Sequence, residues 1–127
     1  MEAHWPAAVE SVPAVRHLVL GYARSVGATQ RALEAIALAA SEAAANAVVH
    51  AFPGGAEGGE IVVSATLLDD EHLRVVVSDN GTGVHDRTDS PGLGLGLPLI
   101  QRLAESVEIS GNGEGGTRVR MDFALAV

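Results

Sequence analysis

Ser41-Glu42-Ala43-Ala44-Ala45-Asn46-Ala47-Val48-Val49-His50 is the stretch on which the fold and the chemistry of this chain turn. Its alanines give it high helix propensity. Glu42 and Asn46 are four residues apart, and so are Asn46 and His50. On a helix, side chains at that spacing line one edge. An amide oxygen on the edge suits a hard divalent cation such as Mg²⁺. A neighbouring carboxylate can take the proton of an attacking hydroxyl or water. The same spacing also describes a polar edge on an Ala-rich helix with no chemistry at all. His50 shares that ambiguity: it suits a pocket near phosphate, and equally a helix end where a His meets the dipole.

Working outward, Thr29 is placed to cap this helix, which should run to about Val49 or His50. Leu33, Ile36, Ala37, Ala40, Ala44, Ala47 and Val48 would supply its buried stripe. Upstream, Ser11-Val12-Pro13 reads as a helix start with Ser as cap. Val15, Leu18, Val19, Tyr22 and Val26 follow at helical spacing, and Gly27 ends the run. Residues 2–9 read as a short strand that Pro6 confines to a sheet edge. Downstream, 52–59 is a loop, with Pro53 and four Gly. Glu60 to Leu68 and His72 to Ser78 alternate as two strands joined at Asp69-Asp70-Glu71. Asp79 to Gly96 is loop, and Leu95 to Ala104 has helical spacing. Val107 to Ser110 and Thr117 to Val127 form a last strand pair. Hairpin-connected strands and grouped helices predict an α+β fold. The expected form is a two-layer α/β sandwich, a mostly antiparallel sheet with helices on one face. The 127 residues fit a single domain, 1–127.

Composition narrows the function. Hydrophobic residues make up 47% and aromatics 3%, so the core must be built from Ala, Val, Leu and Ile. Without Cys there is neither a disulfide framework nor a thiolate metal site. The net charge is −8 and every basic residue is Arg, which argues against direct nucleic-acid binding. Any phosphate ligand would have to be neutralised by backbone amides, a metal and a few Arg. The N-terminus is neither basic nor a long apolar run, and the Ala-rich run is broken by Ser41 and Glu42. No signal peptide and no membrane span are therefore expected, and the chain reads as cytoplasmic.

Three further motifs follow in order. Asp79-Asn80-Gly81-Thr82-Gly83 leaves an apolar strand. A carboxylate there can accept from an exocyclic amine such as that of adenine, and Gly81 and Gly83 allow close approach to a flat ring. It is also an ordinary Gly-rich turn. Gly92-Leu93-Gly94-Leu95-Gly96 runs into a helix and would expose amides to phosphate. By itself such a run is weak, and no P-loop Lys exists in the chain. Gly115-Gly116-Thr117 opens the last strand, where Thr117 can set a hydroxyl and backbone near an adenine edge.

Together and in this order, the four motifs resemble the N, G1, G2 and G3 boxes of the Bergerat ATP-binding superfamily. That superfamily includes gyrase, histidine kinases and mismatch-repair ATPases. The close match of the first motif and the Ser11-Val12-Pro13 helix start resemble the anti-sigma-factor serine/threonine kinases in particular. The resemblance spans nearly the whole chain.

It implies ATP with Mg²⁺ as ligands. Asp79 would hold the adenine amino group, Asn46 would ligate the metal, and Glu42 would be the general base for a serine of a partner. Gly92, Leu93, Gly94, Leu95 and Gly96 would wrap the triphosphate, with His50, Gly81, Gly83, Arg87 and Thr117 completing the binding set. It also implies a homodimer that sequesters a sigma factor and phosphorylates an anti-anti-sigma partner of the STAS fold. Two other functions compete: a non-catalytic ATP/ADP-binding regulatory module, and a detached histidine-kinase catalytic domain. One departure from the family pattern is the short segment 84–91 between the second and third motifs. Arg87 is its one Arg, and His85 is a weaker basic group. A short lid implies weaker ATP retention, or a γ-phosphate clamp supplied by a partner.

Overall fold

The structure, a computed structural model, describes residues 1–51, 59–80, 98–111 and 116–126, without the side chains of His50 and Ala51. Its elements are β1 (Glu2–Pro6), α1 (Ser11–Ser25), α2 (Gln30–Ala51), β2 (Glu60–Asp69), β3 (His72–Asp79), β4 (Ser106–Gly111) and β5 (Thr117–Ala124). Residues 98–103 are also helical. The strands form one five-stranded sheet in the order β1-β2-β3-β5-β4, and every neighbouring pair is antiparallel. The expected α+β sandwich is what forms.

The period-two pattern of the strands decides which face is covered. Ile61, Val63 and Ala65 of β2, Leu73, Val75 and Val77 of β3, and Val119, Met121 and Phe123 of β5 are buried and share the inner face. Against them lie Val15, Val19 and Ala23 of α1 and Leu33, Ile36, Ala39, Ala40, Ala43, Ala44 and Ala47 of α2. Each fully buried Val, Leu or Ile stabilises the fold by about 1.5–3 kcal/mol. The sheet-facing side of α2 is mostly Ala, and Ala39, Ala40 and Ala44 are fully buried. Beyond Leu33 and Ile36, the helix therefore meets the sheet mainly through methyl groups. Ala37 and Val48, expected in that stripe, are half-buried instead, and Ala32, Ala39 and Ala43 take their place.

The other face is polar and laced across strands. Arg74 of β3 donates from Nε and Nη2 to the two carboxylate oxygens of Asp122 on β5, at 2.8 and 3.1 Å. That bidentate pair holds the Asp122 carboxyl below its ordinary range. His72 lies between Asp69 (2.9 Å) and Glu105 (3.2 Å).

Three local expectations need correction. Ser11 lies inside the first turn of α1, with Glu10 at the cap position, and its hydroxyl donates to the Pro6 carbonyl at 2.6 Å. It ties the helix start to the edge strand rather than capping the helix. β1 ends at Pro6, because the Ala8 amide turns back to the Pro6 carbonyl at 2.8 Å. Finally, Gln30–Val49 does reach membrane-spanning length and a mean hydropathy of 1.4. Its broad Ala side instead packs into the core of the sandwich. Thr29 and Gly27 behave as read. Thr29 Oγ1 accepts from the Ala32 amide at 3.2 Å, and Gly27 takes φ 93 at the end of α1.

Candidate functional site

Asp79 is the last residue of β3 and falls on the inner face in step with Val75 and Val77. It is 4% exposed. Thr117 opens β5 and is equally buried. Ser78 pairs with Arg118, so Asp79 and Thr117 are the next pair along the ladder, and the Thr117 amide donates to Asp79 Oδ1 at 3.3 Å. The second and fourth motifs, far apart in sequence, therefore meet at one end of two adjacent strands. Asn80 fixes the same end. Its Oδ1 accepts from the Glu60 amide at 2.8 Å, while its own amide donates to the Glu60 carbonyl at 3.3 Å. This role for Asn80 was not read from the sequence. The signal for it is an Asn just past a strand end, where its side chain can mimic backbone.

The first motif lies in the C-terminal half of α2. α2 starts beside the far end of β5, because the Thr29 amide donates to the Leu125 carbonyl at 2.9 Å. It then packs across β3, β5 and β2. At 1.5 Å per residue, Asn46 is roughly 25 Å along the helix from Thr29. At about 3.3 Å per residue, Thr117 is roughly 26 Å back along β5 from Leu125. Glu42 and Asn46 are half-exposed, while Ala43 and Ala47 between and beside them are buried at 2% and 6%. Both polar residues thus stand where the buried stripe meets solvent. The opposite flank of α2 carries Ser41, whose hydroxyl accepts from Arg16 of α1 at 3.3 Å. Glu42 and Asn46 therefore edge α2 on the side away from α1.

The donor set at this end suits a nucleotide. A buried carboxylate and a buried Thr sit beside an aliphatic sheet floor of Val77 and Val119. Among the described residues no group of three or more His, Cys, Asp or Glu could hold a metal. Mg²⁺ commonly takes one or two protein oxygens, with phosphate oxygens and water supplying the rest. The side chain of His50, and Gly81, Gly83, Arg87, Gly92, Leu93, Gly94, Leu95 and Gly96, lie outside the described residues.

Comparison with known proteins agrees with this arrangement. A model of the histidine kinase-like ATPase domain matches residues 5–123. The chain belongs to that family. Among individual relatives, it is 37% identical to the serine-protein kinase RsbW of Listeria monocytogenes, with 82% of this chain and 74% of the relative covered. It is 32% identical to the anti-sigma F factor of Heyndrickxia coagulans, covering 68% and 66% respectively. These relatives bear out the resemblance to the anti-sigma-factor serine kinases within the ATPase family. A crystal structure of the RsbU and RsbW domains of a Mycobacterium tuberculosis protein is similar over 98% of this chain, with TM-score 0.73 and 25% identity. The chain spans 32% of that longer polypeptide.

Proposed function

We propose that the chain is an ATP-dependent serine/threonine protein kinase acting as an anti-sigma factor, and that it phosphorylates a STAS-fold anti-anti-sigma partner. The observation that carries the reading is the meeting of buried Asp79 with Thr117 at the strand ends. Membership of the ATPase family and the names of the relatives support it. In this reading Asp79 accepts from the adenine amino group, and Thr117 lines the adenine edge. Glu42 takes the proton of a partner's serine as its oxygen attacks the γ-phosphorus. The bond from that phosphorus to the β-phosphate bridging oxygen breaks, and ADP leaves. Asn46 would hold Mg²⁺, which would supply charge neutralisation for that transfer. The residues of the second and third motifs and Arg87 are assigned to the phosphates and adenine by the family resemblance. The working form is taken as a cytoplasmic homodimer that also binds a sigma factor.

The test is transfer from γ-labelled ATP, with Mg²⁺, to STAS-domain proteins from the same genome. Acid-stable, alkali-labile label on the partner is the expected result. Acid-labile label would instead mark a detached histidine-kinase domain. Nucleotide binding without any transfer would mark a regulatory module with no chemistry.

A further inference from the structure

Single exposed apolar residues are ordinary, but two on one helix face with a candidate catalytic carboxylate between them are a placement to explain. Leu38 is 49% exposed and Val49 is 59% exposed, both on α2. With Glu42 and half-exposed Ala45 they stand at intervals of four, three and four residues. That spacing sets them in one row on the side of the helix turned from the sheet. The row is roughly 16 Å long at 1.5 Å per residue. Glu42 is its one charged member. It has an aliphatic side chain one turn before it, a methyl group three residues after it and a second aliphatic residue beyond.

We infer that this row, Leu38-Glu42-Ala45-Val49, is the docking surface for the serine-bearing segment of the protein substrate. The inference rests on the kinase reading given above and names how its substrate is held. A general base acts only on a hydroxyl within hydrogen-bond reach, about 2.6–3.2 Å. A folded partner that brings a serine so near Glu42 must cover the residues one turn to either side of it. Those residues are Leu38 and Ala45, with Val49 a turn further. The partner segment that fits is a serine flanked by aliphatic side chains, with no carboxylate beside it to repel Glu42. The chain's net charge of −8 favours apolar contact over electrostatic attraction for an uncharged segment. It also favours departure of the product, since phosphorylation adds about −1.5 to −2 charges at the contact.

The experiment uses the full chain and the STAS-domain protein that accepts label in the transfer assay. Leu38→Glu and Val49→Glu place exposed charges in the row without emptying the core, and Glu is a good helix former. Each should raise KM for the protein substrate about tenfold, corresponding to loss of one aliphatic contact. The ATP affinity measured by calorimetry and kcat at saturating substrate should stay at wild-type values. Leu67→Glu, on β2 and also exposed, should change none of these. KM unchanged in both row variants would overturn the docking assignment while leaving the kinase reading intact. Transfer that survives Glu42→Ala at the wild-type rate would instead overturn the kinase assignment of Glu42, whatever the KM values.

Discussion

Asp79→Asn gives the sharpest test of the nucleotide site. The substitution changes one atom of a side chain that is 4% exposed. Asn keeps an Oδ1 in place, so the Thr117 amide retains its acceptor. The other carboxylate oxygen becomes an NH₂ group. An adenine amino group that met an ionised acceptor would now meet a donor. Losing a hydrogen bond to a charged group costs about 1.5–3 kcal/mol, and leaving buried donors unsatisfied adds about 1–3 kcal/mol. The sum, about 2.5–6 kcal/mol, weakens binding by roughly two to four and a half orders of magnitude. Calorimetry with Mg²⁺ and ATP reads that change, and thermal melting of the unliganded protein checks that the fold survives. Asp79→Ala is the useful contrast, since it also removes the acceptor of the Thr117 amide and should melt lower than Asp79→Asn. Wild-type ATP affinity in a well-folded Asp79→Asn protein would refute the adenine assignment and the convergence argument with it.

Other perturbations separate chemistry from stability. Glu42→Ala should leave ATP affinity unchanged in calorimetry while phosphotransfer to the protein substrate disappears. Ile36→Ala, at a fully buried position of α2, should cost about 2–5 kcal/mol and lower Tm by roughly 10 °C or more. Ala40→Leu should also destabilise, by about 1–3 kcal/mol in a denaturant titration, because the helix already lies against its neighbours through methyl groups. The His72 pKa is raised from 6.5, first by its hydrogen bond to Asp69 and further by Glu105 and Glu71. Its contribution to stability is therefore complete below pH 6.5 and lost as pH rises through the raised value. His72→Gln should accordingly lower Tm more at pH 5.5 than at pH 9, and an equal loss at both would contradict this.

Most of the fold was legible in the sequence because its signals were local. The alternation in β2 and β3 and the helical spacing in α1 and α2 each depend on neighbours a few residues away. The errors have physical causes. Ser11 has the residue type of a cap, but the helix starts one residue sooner, with Glu10 at the cap position, and the Ser11 hydroxyl donates to the Pro6 carbonyl. Ala37 and Val48 fit a helical stripe drawn from α2 alone. The sheet beneath and α1 beside it select a slightly rotated one that includes Ala39 and Ala43. At the site, the residue types were visible, but the bond between Thr117 and Asp79 depends on the strand order β3-β5-β4. Nothing local says that the last strand inserts between two earlier elements. The role of Asn80 was hidden in the same way, since its partner Glu60 sits 20 positions away.

The wall of methyl groups on α2 leaves this molecule little freedom at the back of the nucleotide end. An alanine there can only be trimmed to glycine, which weakens a helix by about 1 kcal/mol. It can only grow by forcing helix and sheet apart. Both routes harm the fold before they reshape the cavity. Adaptation to a new ligand or a new regulatory partner would then be confined to the rim: the solvent side of the helix and the strand ends.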